Sequence, residues 1–96
     1  MSYWIKDIFN SKEKFFNFMI SKFGQPIESG KYNFYQTHHG VICINKDKKL
    51  ESPLLIILPY NQTSFIPPSK YKYSESKLLT KLKEAGEDFC FKLEKT

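Results

Sequence analysis

Apolar positions change their period along this chain, and the changes mark out its elements. Phe15, Phe16, Met19, Ile20 and Phe23 recur in pairs four apart, the stripe of an amphipathic helix. Asn10 or Ser11 is placed to cap that helix, Gly24 to stop it, and Pro26 cannot continue it. Upstream, residues 3–9 predict a short helical turn with Trp4, Ile5, Ile8 and Phe9 on one side. From residue 31 the period falls to two. Residues 31–37 alternate aromatic and polar side chains, residues 41–45 are rich in β-branched ones, and His38-His39-Gly40 between them reads as a hairpin turn. Residues 45–49 form a polar turn. Leu54-Leu55-Ile56-Ile57-Leu58 is a continuous apolar run, which predicts a strand buried on both faces at the centre of its sheet, closed by Pro59.

Residues 60–73 have no clear period, and so long a connection in so short a chain predicts a functional or disordered loop. Ser74 is then placed to cap a second helix running to Ala85. Leu78, Leu79, Leu82 and Ala85 face inward, Lys77, Lys81, Lys83 and Glu84 face outward, and Gly86 ends it. Phe89, Phe91 and Leu93 alternate with Cys90, Lys92 and Glu94 as a final strand. The expected order is α-β-β-β-α-β. It makes one α+β domain over residues 1–96, a two-layer sandwich whose antiparallel sheet carries helices on one face. There is no internal repeat and no low-complexity tract.

Composition adds charge to this picture. All fifteen basic residues are lysine, and the formal net charge is +5. Lysine is a mobile point charge, whereas the absent arginine would supply the planar fork that grips guanine edges and phosphates with two bonds. Residues 61–83 concentrate the surplus, with Lys70, Lys72, Lys77, Lys81 and Lys83 set against Glu75. Such a stretch predicts a polyanionic partner. A lysine- and asparagine-rich codon bias would give the same composition without any partner, and the sequence leaves both explanations open. The apolar runs are too short for a membrane span, and no leader pattern opens the chain. Cys43 and Cys90 lie in apolar runs without metal-ligand spacing. The expectation is therefore a cytoplasmic, intracellular protein with free buried thiols, no metal, no cofactor and no membrane partner.

Two constellations carry candidate chemistry. In Lys70-Tyr71-Lys72-Tyr73, extended backbone puts both rings on one side and both charges on the other. Lysine on phosphates and tyrosine on bases is a division of labour that suits single-stranded nucleic acid. With Phe65 ahead of it and Lys77 and Lys81 behind, this segment is the candidate binding site for RNA, a ribonucleoprotein or an acidic protein surface. The other reading of the same tyrosines is that they pack back over the core ahead of Ser74. His38 and His39 are the candidates for acid–base work, since imidazole titrates near neutrality. Neighbours on a strand point to opposite faces, so the pair would not converge on one atom, and the plainer reading is two exposed turn residues.

The order of elements, with Thr37-His38-His39 at the first hairpin, Leu58-Pro59 after the apolar strand, and the run from Leu78 to Gly86, resembles HicA-type toxins. These are small mRNA-cleaving proteins with a double-stranded-RNA-binding-domain-like fold. The resemblance covers about half the chain and implies a catalytic role for His38. Gln36-Thr37 stands where the family carries Gly-Ser, and the 65–73 loop and the last strand are extra. No other catalytic signature is present, so catalysis is left uncertain and binding is expected instead. Small size, lysine richness and exposed aromatics also resemble phage and mobile-element products, including anti-CRISPR inhibitors of host defence. An immunity or antitoxin module is the third expectation, disfavoured by the positive charge.

Overall fold

The computed structural model describes residues 2–6, 12–89 and 91–96, with side chains described up to residue 86 and again from 91. The proposed helix caps Asn10 and Ser11, and Cys90, lie outside the described residues. The elements are β1 (Ser2–Lys6), α1 (Lys12–Phe23), β2 (Ile27–Ser29), β3 (Tyr32–Thr37), β4 (Gly40–Asn45), β5 (Leu54–Leu58), α2 (Glu75–Phe89) and β6 (Lys92–Lys95). A 3-10 turn at Tyr60–Gln62 follows β5. The α+β class and the antiparallel sheet are as expected from the sequence. The order differs: six strands run β2-β3-β4-β5-β1-β6 across the sheet.

The largest departure is at the start of the chain. Residues 2–6 form a strand rather than a helical turn, with Tyr3 and Ile5 buried and Ser2, Trp4 and Lys6 half-buried. Tyr, Trp and Ile favour strands, and the slot between β5 and β6 offers ladder partners on both sides. Three apolar residues in a row fit either period, and here the vacant slot decides. The short edge strand β2 was also not expected. It pairs with β3 through Ile27↔Phe34 and Ser29↔Tyr32.

The register sorts side chains onto two faces. Tyr35, Ile42, Ile44, Leu55, Ile57, Tyr3 and Ile5 share one face, and both helices cover it with Phe15, Phe18, Met19, Leu78, Leu82 and Ala85. Phe18 is buried although the expected stripe omitted it, and Phe16, Ile20 and Phe23 are half-buried. The stripe is therefore centred on Phe15, Phe18 and Met19, the i, i+3, i+4 set. Phe91 draws the helices together: its ring stands edge-on to Phe15 at 5.1 Å and lies 6.3 Å from Phe18.

The opposite face carries Phe34, Val41, Cys43, Leu54, Ile56 and Leu58, and among the described residues no α-helix covers it. The strand buried on both faces is β4 rather than β5. Val41 to Ile44 are all buried, while Leu54, Ile56 and Leu58 of β5 remain half-exposed on the helix-free side. Cys43 is a free thiol whose burial raises its pKa. The segment after β5 supplies the cover that helices do not. Tyr60 is buried and donates its hydroxyl to the Thr37 carbonyl at 2.9 Å, and Phe65 packs on Phe34 at 5.3 Å.

Helix α2 begins as expected, with Ser74 Oγ accepting from the Lys77 amide at 3.3 Å. It does not stop at Gly86 but runs on to Phe89, which removes Phe89 from the last strand. Gly86 is there for close packing. A Cβ at this position would lie 2.7 Å from the Phe91 carbonyl oxygen, and the Gly86 carbonyl accepts from the Phe91 amide at 3.1 Å. Gly86→Ala is expected to destabilise the fold by about 1–3 kcal/mol, the usual cost of overpacking, read from the urea midpoint.

Burial is the leading cause that raises the phenol pKa values of Tyr3, Tyr35 and Tyr60 above the ordinary 10.0. The unfolded chain therefore loses these protons first as pH rises. The stabilising difference is complete below about pH 10 and is lost as pH climbs through the raised values. The urea midpoint is expected to fall as pH rises above about 10, and substituting phenylalanine at Tyr60 should flatten that decline.

Candidate polyanion-binding surface

The hairpin joining β3 to β4 is built by a hydroxyl. Thr37 Oγ1 accepts from the His39 amide at 3.0 Å and donates to the Gly40 carbonyl at 2.8 Å. Gly40, at φ +146°, sits where a Cβ would meet the Leu58 carbonyl at 3.0 Å and the Tyr73 ring at 3.3 Å. The chain after the long connection returns to this hairpin and binds its backbone. The Lys72 amide donates to the His38 carbonyl at 3.0 Å, and the Ser74 amide to the His39 carbonyl at 2.9 Å. His39 Nδ1 lies 3.2 Å from the Lys72 carbonyl oxygen. A carbonyl cannot donate, so Nδ1 carries the proton in this contact. His39 is thereby a structural clasp.

His38 is exposed and has no such partner among the described residues. It lines a cleft of about 360 Å³ with Lys22 and Phe23 from the end of α1, Gln36, Thr37 and His39 from the hairpin, and Lys81 from α2. Three elements distant in sequence thus bring two lysines and two histidines to one concavity, and among the described residues no carboxylate lines it. Lys72 stands beside it through its backbone bond to His38. Lys77 precedes Lys81 by one helical turn on the exposed stripe, with Glu84 following Lys81 as its acidic neighbour. Such a lining, with several N–H donors, positive charge and an open mouth, has the chemistry to receive an anion.

The expected site residues separate into two groups. Lys72, Lys77 and Lys81 gather near the cleft with His38. Phe65 lies over the helix-free face, beside Phe34, Leu58 and Ile27, on the other side of the sheet from α2. Tyr71 is committed to the fold. Its ring meets Tyr60 edge-on at 4.7 Å, and its hydroxyl accepts from the Tyr60 amide at 3.1 Å. Tyr73 covers Gly40 and keeps 40% exposure, so it is the ring of this set with surface left to offer. Lys70 is exposed and holds a left-handed backbone at φ +64°, where the chain turns back toward the hairpin. Lys22 was not foreseen. Its place in the last turn of α1 is legible in the sequence, but its proximity to a hairpin tip is not.

Comparison with protein-family models, with curated proteins and with solved structures finds no match to this chain.

Tyr71→Phe removes the acceptor of the part-buried Tyr60 amide while keeping the ring contact. It is expected to lower stability by about 1–3 kcal/mol, with faster amide exchange confined to the connection after β5.

Proposed function

We propose that this protein is a non-enzymatic binding module for RNA or an RNA–protein complex, engaging the phosphate backbone with the hairpin end of its sheet. The convergence of Lys22, Lys81 and His38 in one cleft that no carboxylate of the described residues lines, with Lys72 alongside, carries the reading. Point charges on flexible stems hold phosphate without reading bases, so recognition is of backbone and shape. Tyr73 adds a half-exposed ring at the cleft's flank for one stacked base. Small size and lysine richness support a narrower version, an inhibitor of the phage type that occupies the RNA-bearing surface of a host effector. The companion reading, a HicA-like ribonuclease, finds support in the exposure of His38 within the same cleft. His39, the other imidazole of the lining, is held at Nδ1 by the Lys72 carbonyl, and no carboxylate among the described residues of the lining orients His38, which favours binding over cleavage.

Anisotropy titration of a fluorescent single-stranded RNA against the protein is expected to show affinity falling with salt. The slope should be about −2 to −3 on logarithmic axes, for three to four phosphates neutralised. Lys72→Glu with Lys81→Glu should weaken binding at least tenfold at low salt and leave the circular dichroism unchanged. Wild-type affinity in that variant would remove the cleft from the proposal. Cleavage of the RNA by the wild type and its loss in His38→Ala would instead establish the ribonuclease reading. Capture of a host protein that persists after nuclease treatment would point to an acidic protein face.

A further inference from the structure

A second cleft of about 360 Å³ opens between α1 and the edge of the sheet. Phe16 of α1 and Pro26 of the following connection supply apolar lining, and Glu13 and Glu28 bring carboxylates. Asn33 and Tyr35 of β3 complete it from the core side of the sheet. Asn33 is 5% exposed and Tyr35 fully buried. The Asn33 amide nitrogen donates to the Tyr35 hydroxyl at 3.4 Å, and its carbonyl oxygen has no partner. The Tyr35 hydroxyl proton likewise meets no acceptor among the described residues. Buried polar groups are matched in nearly all folded proteins, and an unmatched one in a cleft wall marks a place where something else binds.

The pair specifies what that partner must present. As oriented, it leaves one acceptor, the Asn33 oxygen, and two donors, the Tyr35 hydroxyl and the second amide N–H. Turning the amide over would have the tyrosine donate to the oxygen, leaving the amide nitrogen as donor and the phenol oxygen as acceptor. Either way an acceptor and at least one donor stand unmatched side by side. A single water answers that demand, but the cleft is roughly ten times a water's share of volume and falls in the range of small-ligand sites. Lys46 holds Glu28 at 2.8 Å, which offsets one of the two carboxylates and leaves a slightly acidic mouth. That mouth disfavours phosphate and favours N–H donors.

We propose that this cleft receives the amino-substituted edge of a planar heterocycle, as carried by cytosine or adenine. Its adjacent donor and acceptor meet Asn33 and Tyr35, its remaining N–H turns to Glu13 or Glu28, and its ring lies against Phe16 and Pro26. The base arrives free or on a strand. The strand source rests on the RNA reading above and is sterically natural, because Asn33 and His38 lie on one hairpin roughly 15 Å apart at strand rise.

The test is an NMR titration of the nitrogen-15-labelled protein with cytidine, adenosine and uridine, with inorganic phosphate as control. Cytidine or adenosine should shift the Asn33 side-chain amide and its neighbours in the millimolar range, with uridine weaker and phosphate silent there. Asn33→Leu should weaken that response at least tenfold, and Tyr35→Phe, which keeps the buried ring, is the second variant should Asn33→Leu fail to fold. No nucleoside response, or one unchanged in these variants, overturns the proposal. A cytidine oligonucleotide and its abasic counterpart separate the sources. Loss of the parent's advantage in Asn33→Leu, with the salt slope kept, places the base on a strand. A nucleoside response without salt-dependent oligonucleotide binding upholds this cleft and fails the RNA reading. Salt-dependent binding with the abasic strand held as tightly as its parent and no nucleoside response overturns this cleft and spares that reading.

Discussion

Burial of β4 on both faces is the constraint on which the rest of this fold depends. A strand of Val41, Ile42, Cys43 and Ile44 cannot leave either side to water. Two helices meet the demand on one side. On the other, no α-helix of the described residues lies, and the connection of residues 59–74 takes the part of a layer. Tyr60, Phe65 and Tyr71 are its packing residues, and hydrogen bonds from Lys72 and Ser74 to the histidine hairpin anchor its far end. A segment that reads as a loop by pattern is thus structural over most of its length.

This double duty shapes the candidate binding surface. Of the rings in the alternating Lys-Tyr segment, Tyr71 turns inward because the sheet needs it, and Tyr73 lies over Gly40 with 40% of its surface left open. The lysines turn outward because an ammonium group cannot be buried unpaired. Extended alternation predicted that split, but the side facing inward is the aromatic one. What remains for a partner is mostly charge, drawn from α1, the hairpin, the returning segment and α2. Charge without planar donors suits a backbone contact, in which precision of angle matters less than density of positive groups.

The parts of the fold legible in sequence were those with several agreeing signals. The hairpin at His38-His39, the cap at Ser74 and the stop at Gly24, whose amide bonds the Ile20 carbonyl, each join a period change to a specific turn or cap residue. The first strand was not legible, because five residues carry too little period to separate strand from helix and the deciding partners lie some fifty and ninety residues away. Gly86 misled for a related reason. A glycine near a helix end reads as a stop, but the contact that requires it is with Phe91 on the returning chain. The cleft lined by Lys22 and Lys81 was invisible for the same cause, since lysines spread over sixty residues converge through topology. Asn33 did leave a trace: it is a polar residue at the buried parity of an otherwise aromatic strand.

The position of β1 has a consequence for how the chain is made. Its partners β5 and β6 come from the middle and the last residues of the sequence, and Ser2 ends against Thr96 at 2.6 Å between hydroxyls. During synthesis Tyr3, Trp4 and Ile5 emerge well ahead of their partners, without a ladder until residues 54–56 appear and without a second neighbour until residues 92–95 follow. The sheet therefore closes from its centre outward, by its most sequence-distant pairings last, and folding is set by a slow search over long loops. Until that closure a strand with three large apolar side chains stands open to other chains, so exposure to misassociation is greatest in the interval before residues 92–95 pair with it.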